Sequence, residues 1–187
     1  AGSGAADRRE VRGESASAVF EQAGPGGGAR SGGLGGRRAH DKVVEAFAAA
    51  TGNVTVGPPS EDGTEVGTLV SFKQRDRVRD YIEIGLAEGA TLVVGGEAPT
   101  DPALANGAYL MPTVFDGVDN DMRIAREEIF GPVVSIIPFD TEEEALRLAN
   151  ATPYGLSGSI WSRDIGKAVR AAKALQAGCV GVNPTSP

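Results

Sequence analysis

The sequence predicts an α/β fold whose strands form a parallel sheet. Over residues 133–182, strand-like and helix-like segments alternate with short links, which is typical of parallel strands joined by right-handed crossovers. The composition also changes along the chain, because residues 1–38 are rich in glycine and arginine and contain only four large apolar side chains. So few apolar side chains cannot offset the entropy of ordering the backbone. We therefore predict a disordered N-terminal arm, residues 1–38, followed by a folded α/β unit, residues 39–187.

The first half of the folded unit contains two predicted helices and a short strand. Residues 41–51 carry apolar side chains at helical spacing. Residues 72–88 show the same pattern, and Ser71 and Gly89 stand where an N-cap and a C-terminal stop are expected. Residues 91–94 are predicted to form a short buried strand.

The second half contains further strand-like segments and two more helices. Residues 109–115 are strand-like but include Pro112, which predicts an edge strand or a bulge. The remaining predicted elements are, in order, strand Val133–Phe139 broken at Pro138, a helix to Asn150 with a capping box at Thr141 and Glu144, strand Leu156–Trp161, a helix capped by Asp164 and ended by Gly178, and strand Cys179–Val182. This alternation is the basis of the predicted parallel sheet.

Composition excludes several classes of function. The 187 residues include 18 Lys and Arg against 25 Asp and Glu, a net charge of −7, so the chain lacks the basic surface that nucleic-acid binding requires. No apolar run is long enough to span a membrane, and the N-terminus has no signal-peptide core. One cysteine and one histidine exclude an internal disulfide and argue against a metal site. We expect a soluble, cytoplasmic protein with neither a nucleic-acid nor a membrane partner.

Two generic motifs and the single cysteine are weak evidence for a function. Gly24–Ala29 matches the dinucleotide-binding pattern G-x-G-x-x-A, but no strand precedes it and no helix follows it. Gly155–Ser159 resembles a nucleophile elbow with serine in place of the closing glycine, and the single histidine, His40, lies far away in sequence. Nothing therefore favours a hydrolase that uses Ser157. Cys179 lies in a short apolar strand, where cysteine is usually a small buried apolar residue.

Residues 127–139, with the sequence Glu-Glu-Ile-Phe-Gly-Pro-Val-Val-Ser-Ile-Ile-Pro-Phe, resemble a motif of the aldehyde dehydrogenase superfamily. Residues 107–114 resemble the family segment before this motif, and residues 150–156 and 177–183 resemble the segments after it. The resemblance covers about residues 40–183. It implies a parallel-sheet, three-layer α/β unit that is part of the family's catalytic domain.

The resemblance also implies an activity, the NAD- or NADP-dependent oxidation of an aldehyde to a carboxylic acid through a cysteine thioester. In that case Glu128 would accept hydrogen bonds from the ribose hydroxyls on the nicotinamide side, and Phe130 would pack near the nicotinamide. Gly131 and Pro132 would hold the turn that presents them. The implied partners are an aldehyde substrate and further copies of the chain in a homo-oligomer.

The catalytic nucleophile of the family is not found where the resemblance places it. It occurs in a Gly-Gln-x-Cys sequence before the helix that matches residues 41–50; here Phe20–Gly24 resembles the approach, and Gly27 falls at about the cysteine position. Cys179 belongs to a later motif. With the dinucleotide-binding domain expected upstream, we assign no catalytic residue and expect an inactive fragment. We hypothesise that residues 25–38 are an out-of-frame reading of a GC-rich gene.

A second function from another class remains open. Family members assemble as dimers or tetramers, so a chain that retains part of the assembly surface could bind a full-length homologue. The alternative to a dehydrogenase fragment is therefore a non-catalytic oligomerisation or interaction module.

Overall fold

In the part of the chain that the structure describes, helices pack on two β-sheets. The structure is a computed structural model that describes residues 32–36 and 40–184. In these residues the strands are β1 (Gly32–Gly36), β2 (Thr91–Val94), β3 (Thr113–Asp116), β4 (Val133–Phe139), β5 (Ser157–Ile160) and β6 (Cys179–Val182). The helices are α1 (His40–Thr51), α2 (Phe72–Ala87), α3 (Arg123–Arg126), α4 (Glu142–Asn150) and α5 (Ile165–Ala174), with a short 3₁₀ turn at Pro102–Leu104.

The larger sheet has the strand order β1-β4-β3-β2. Strand β4 runs parallel to both β1 and β3, whereas β2 is antiparallel to β3. Strands β5 and β6 form a separate parallel pair. The predicted α/β fold with parallel strands is confirmed, but the C-terminal strands divide between two sheets. Since β1 and β3 occupy both edges of β4, the next strand cannot pair with it.

Strand β4 separates two apolar clusters. Val133 and Ile137 belong to the cluster that includes the buried side of α2 and α3, whereas Val134 and Ile136 belong to the cluster that includes the apolar face of α1. Between them Ser135, which is fully buried, donates a hydrogen bond to the carbonyl of Ile124 in α3. Successive side chains of a strand point to opposite faces, so helices cover the sheet on both sides. The three-layer arrangement is confirmed.

The first turn of α2 forms as its sequence predicts. The Ser71 hydroxyl accepts a hydrogen bond from the Gln74 amide at 3.1 Å, which satisfies one of the free N–H groups at the helix start. Gly89, two residues after the helix ends, has φ of 97°, a conformation that side chains rarely adopt. Both ends of α2 are therefore defined locally.

The two later helices also begin at their predicted caps. Thr141 accepts a hydrogen bond from the Glu144 amide, and Asp164 accepts one from the Lys167 amide. The capping box differs in one detail, because the Glu144 carboxylate accepts from the amide of Asp140 and not from that of Thr141. The return bond therefore reaches one residue further back than the pattern predicts.

Two predicted interruptions have different outcomes. Strand β4 continues through Pro138 to Phe139, so the predicted break is wrong. Beyond Ser135 the strand pairs with β1 alone, and a missing N–H is tolerated where one edge is unpaired. The strand predicted over residues 109–115 begins only after Pro112, at Thr113, and it lies inside the sheet, so the predicted edge strand is wrong. The register between β2 and β3 does shift, but in β2, between Leu92 and Val94, and not at Pro112.

Helix α5 is shorter than predicted. It ends at Ala174, four residues before Gly178, and Leu175 already has an extended backbone. A Cβ atom added at Gly158 would lie 2.5 Å from Leu175, so the leucine side chain packs directly on β5. This contact with the sheet competes with continuation of the helix.

One strand lies within the predicted arm. Gly32–Gly36 form β1 and pair with residues 135–139 of β4, so the expectation of disorder does not hold for these five residues. Ladder hydrogen bonds use only the main chain and so do not need apolar side chains. The rest of the arm, residues 1–31, 37 and 38, lies outside the described residues, and this includes Gly24–Ala29 and Gly27.

Candidate functional site

The residues that lead into β4 form a turn against α2, which we call the motif turn (residues 127–132). Ile129 is 1% exposed and anchors the turn in the core. Glu128 and Phe130 on either side of it are exposed. Phe130 has φ of 58°, in the left-handed region that residues other than glycine rarely adopt. The turn therefore buries one side chain and presents the two flanking ones to solvent.

Two side chains of α2 bind the backbone of the motif turn. Arg77 Nη2 donates to the carbonyl of Glu128 at 2.9 Å. Gln74 Nε2 donates to the carbonyls of Ile129 and Phe130 at 3.1 and 2.9 Å. Three successive carbonyls are thus held by two residues one helical turn apart. Such side-chain partners are needed where the backbone of a turn has no regular ladder.

The last two residues of the motif turn are buried and connect it to the sheet. A Cβ atom at Gly131 would lie 2.5 and 2.7 Å from the two methyl groups of Val78 in α2, so the backbone approaches the helix more closely than an alanine would allow. The carbonyl of Pro132 accepts a hydrogen bond from the Thr113 amide at 2.8 Å. This bond lies next to the parallel pairing of β3 with β4, so it fixes the point at which the turn enters the sheet.

Glu127, the first residue of the turn, is held by three donors. Arg123 Nε and Nη2 donate to its two carboxylate oxygens at 2.7 and 2.9 Å, and the Tyr81 hydroxyl donates at 2.7 Å. The hydrogen bonds from Arg123, and then that from Tyr81, lower the pKa of Glu127 from 4.5 to about 2. The guanidinium groups of Arg77 and Arg123 also lie over the Tyr81 ring, 5.3 and 5.6 Å from its centre.

The two residues singled out in the sequence, Glu128 and Phe130, lie together on this turn. Within residues 40–184 no side chain or amide donates a hydrogen bond to the Glu128 carboxylate, which is exposed. The Phe130 ring is 44% exposed. A free carboxylate accepts hydroxyl donors on both oxygens, and an exposed ring can cover a flat apolar group. This pair therefore suits a sugar diol joined to an aromatic base.

Sequence reasoning missed the residues that support the turn. Gln74 and Arg77 precede their carbonyl partners by more than 50 residues, and the binding partners Tyr81 and Glu127 are 46 residues apart. The helical pattern of α2 identified its buried face, but nothing in the pattern indicated what the exposed side would contact. The signal that the sequence did offer was the spacing of Gln74 and Arg77, which places two polar side chains one helical turn apart on the same side of α2.

The other candidate residues lie elsewhere. Cys179 is exposed, so the prediction that it is buried is wrong; it begins β6 in a sheet of only two strands, which leaves much of their surface uncovered. Ser157 is the first residue of β5. His40 Nε2 is 2.6 Å from Asp116 Oδ1 on the larger sheet, so this ring nitrogen is engaged by a carboxylate.

Two general properties can be stated for residues 32–36 and 40–184. None of the helices described there is long and apolar enough to cross a membrane. Nor does this part of the chain contain a group of three or more His, Cys, Asp or Glu side chains placed to hold a metal ion.

Replacement of Gly131 by alanine should disturb the contact between the turn and α2. We expect Gly131→Ala to lower the free energy of unfolding by about 1–3 kcal/mol, because the new methyl group overlaps Val78. Val78→Ala should also destabilise the chain, but the double variant should lose less than the sum of the two changes. Urea unfolding of the four proteins measures this coupling. Strictly additive losses would contradict the close approach.

The ion pair of Glu127 should give stability a defined pH dependence. Because the folded pKa of about 2 lies below the ordinary value of 4.5, Glu127 stabilises the fold above pH 4.5, and this contribution is lost as the pH falls from 4.5 to 2. Glu127→Gln should therefore be less stable than the parent chain at pH 7, and this difference in the free energy of unfolding should shrink as the pH falls from 4.5 toward 2. Urea unfolding across this pH range measures the difference, and a gap that stays the same size from pH 7 to pH 2 would count against the prediction.

Comparison with known proteins gives the wider context of this turn. A sequence model of the Aldehyde dehydrogenase family matches residues 10–187, so the match begins well before residue 40. The chain is 49% identical over 140 residues to the 5-carboxymethyl-2-hydroxymuconate semialdehyde dehydrogenase of Escherichia coli and 43% identical over 148 residues to the betaine aldehyde dehydrogenase of Bacillus subtilis. These alignments cover 73% and 79% of this chain but only 30% of each relative.

Solved structures agree with the sequence relatives. The betaine aldehyde dehydrogenase of Staphylococcus aureus in complex with NAD+ superimposes with a TM-score of 0.88 at 36% identity, covering 96% of this chain and 35% of that one. An aldehyde dehydrogenase of Mycobacterium tuberculosis complexed with NAD+ gives a TM-score of 0.85 at 42% identity, covering 95% of this chain and 35% of that one. The chain therefore belongs to the aldehyde dehydrogenase family.

Proposed function

We propose that this chain is part of the catalytic domain of an NAD- or NADP-dependent aldehyde dehydrogenase and that the motif turn holds the nicotinamide end of the cofactor. The observation that carries the proposal is the pair of exposed side chains, Glu128 and Phe130, on a turn whose backbone is bound by α2. The similarity to two family members in complex with NAD+ supports the choice of cofactor.

Each residue of the pair has a separate task. The carboxylate oxygens of Glu128 accept hydrogen bonds from the ribose hydroxyls, and the negative charge strengthens these bonds. The Phe130 ring packs near the nicotinamide and limits its rotation. A nicotinamide cofactor supplies the hydride acceptor for aldehyde oxidation. NAD and NADP differ at the adenosine ribose, so this turn does not distinguish between them.

The substrate class that we propose is an aldehyde, but the 187 residues by themselves should not oxidise one. The chain contains one cysteine, Cys179, and it lies in the β5–β6 sheet and not on the motif turn. A thioester intermediate needs a thiolate beside the cofactor. A purified chain should therefore leave NAD+ unreduced when an aldehyde is added. The cytoplasmic location stays a prediction.

A hybrid enzyme tests the role of Glu128. Residues 40–184 would replace the matching segment of the Staphylococcus aureus betaine aldehyde dehydrogenase, and betaine aldehyde oxidation would be followed through NAD+ reduction. We expect the hybrid to be active. Glu128→Gln replaces a charged hydrogen-bond acceptor by a neutral one. This change should raise the KM for NAD+ by roughly ten- to a hundredfold, while the KM for the aldehyde changes little.

The matched control for this hybrid is Glu143→Gln. Glu143 is an exposed carboxylate on α4, away from the motif turn, and its loss should leave both KM values unchanged. Equal KM values for NAD+ in the parent, Glu128→Gln and Glu143→Gln hybrids would overturn the proposed role of Glu128. An inactive hybrid that still folds would argue against the dehydrogenase assignment of this segment.

One observation favours the second candidate, a module that binds an intact aldehyde dehydrogenase subunit. Large apolar side chains are exposed on and around β5 and α5, namely Tyr154, Leu156, Trp161, Ile165 and Val169. Exposed apolar groups that cluster in one part of a chain are typical of interaction sites. We call this set the C-terminal apolar patch.

Co-elution with an intact relative tests this candidate. The chain, mixed with the Staphylococcus aureus enzyme, should move to a larger size in gel filtration. The double change Leu156→Ser and Ile165→Ser should abolish the shift. Val70→Ser, which alters an apolar side chain 81% exposed but outside the patch, should not. Separate elution of the unaltered chain at high concentration would argue against the module.

A further inference from the structure

We propose that Gln74 and Arg77 are positioning residues, which hold the backbone of the motif turn so that Glu128 and Phe130 point to the same ligand. The effect on the cofactor rests on the proposed function, but the hold on the backbone does not. Neither residue needs to touch the ligand in order to act in this way. Their direct partners are the three main-chain carbonyls of residues 128–130.

The geometry of the Gln74 contact is well suited to this task. A single nitrogen, Nε2, donates to the carbonyls of both Ile129 and Phe130. Because each carbonyl lies in the plane of its own peptide, the two bonds together restrict the angle between consecutive peptide planes. That angle is set at Phe130, whose φ of 58° is unfavourable for a side chain larger than hydrogen. Gln74 thus favours a conformation that the isolated turn would leave.

Helix α2 makes these donors rigid. The backbone amide of Gln74 is bound by the Ser71 cap, and Val78 is fully buried in the core. The guanidinium group of Arg77 lies over the Tyr81 ring, and Tyr81 in turn binds Glu127. Side-chain donors fixed on a packed helix hold their acceptors more narrowly than donors on a loop would. The turn and its support therefore form one connected unit.

Nuclear magnetic resonance of the full 187-residue chain tests the hold directly. In the parent chain, the side-chain amide protons of Gln74 should exchange slowly with water, and the backbone of residues 128–130 should have the same heteronuclear NOE as β4. Gln74→Met keeps the length of the side chain but has no donor, and Gln74→Glu replaces the donors by acceptors. Both variants should lower the heteronuclear NOE of residues 128–130 without changing that of β4.

Lys73→Met is the matched control, because Lys73 is exposed beside Gln74 and, among the described residues, makes no hydrogen bond to the turn. It should leave the turn unchanged. If Gln74→Met unfolds the chain, Arg77→Met tests the proposal in its place. Arg77 is exposed, and its loss removes one of the three hydrogen bonds to the carbonyls of residues 128–130. A turn that stays ordered in every folded variant would overturn the proposal.

Titration with nicotinamide mononucleotide separates this proposal from the proposed function. If the turn binds the nucleotide, Gln74→Met should weaken binding by roughly two- to tenfold, because the ligand must then order the turn. A turn that loosens in Gln74→Met, while Glu128→Gln leaves nucleotide binding unchanged, would support the positioning role and contradict the cofactor role. An ordered turn in Gln74→Met and Arg77→Met would contradict positioning whatever the nucleotide does.

Discussion

Strand β4 pairs with β3 on one edge and with β1 on the other, and its side chains are buried on both faces of the sheet. A strand held in this way cannot shift by one residue without moving its apolar side chains to the wrong cluster. The position of Val133 is therefore fixed, and so is the point at which the preceding residues leave the sheet. There the Thr113 amide of β3 donates a hydrogen bond to the Pro132 carbonyl, and the carbonyls before it, those of residues 128–130, are bound by α2.

The conformation of the motif turn has a free-energy cost, which hydrogen bonds from α2 offset. A left-handed conformation at a residue other than glycine costs about 1–2 kcal/mol, and Phe130 adopts one. Each net hydrogen bond contributes about 0.5–1.5 kcal/mol, and bonds to charged donors contribute more. The two bonds from Gln74 and the bond from Arg77 are thus of the right size to hold Phe130 where it is. Strain balanced in this way is typical of binding sites.

Much of the fold could be predicted because its signals are local. The caps at Ser71, Thr141 and Asp164 act within three residues, and β4 is a run of apolar residues that needs no partner to be recognised. The division into two sheets was not predictable, since it depends on β1 taking the free edge of β4. The exposure of Cys179 follows from the same division.

The supporting part of the site could not be predicted for a related reason. Glu128 and Phe130 were found through a resemblance that preserves order along the chain, whereas the residues that support them, Gln74 and Arg77, belong to α2. A hydrogen bond from Gln74 to the carbonyl of Phe130 leaves no trace in the side chain of Phe130, because the acceptor is the main chain. Local pattern can place a polar residue on the outer face of a helix, but only the tertiary fold decides which carbonyl it meets.

The two adjacent glutamates of the motif turn, Glu127 and Glu128, have different surroundings. Glu127 accepts hydrogen bonds from Arg123 and Tyr81, and its low pKa records how fully its charge is satisfied. A carboxylate that already accepts three hydrogen bonds has little capacity left for a ligand. The bonds of Glu127 instead fix the start of the turn. Glu128, by contrast, is bound through its main-chain carbonyl in the part of the chain that the structure describes, and its carboxylate is exposed to solvent. Because Arg123 and Tyr81 are both engaged by Glu127, they do not compete with a ligand for the neighbouring carboxylate. The arrangement thus ties one carboxylate to the structure of the turn and leaves the other exposed to solvent.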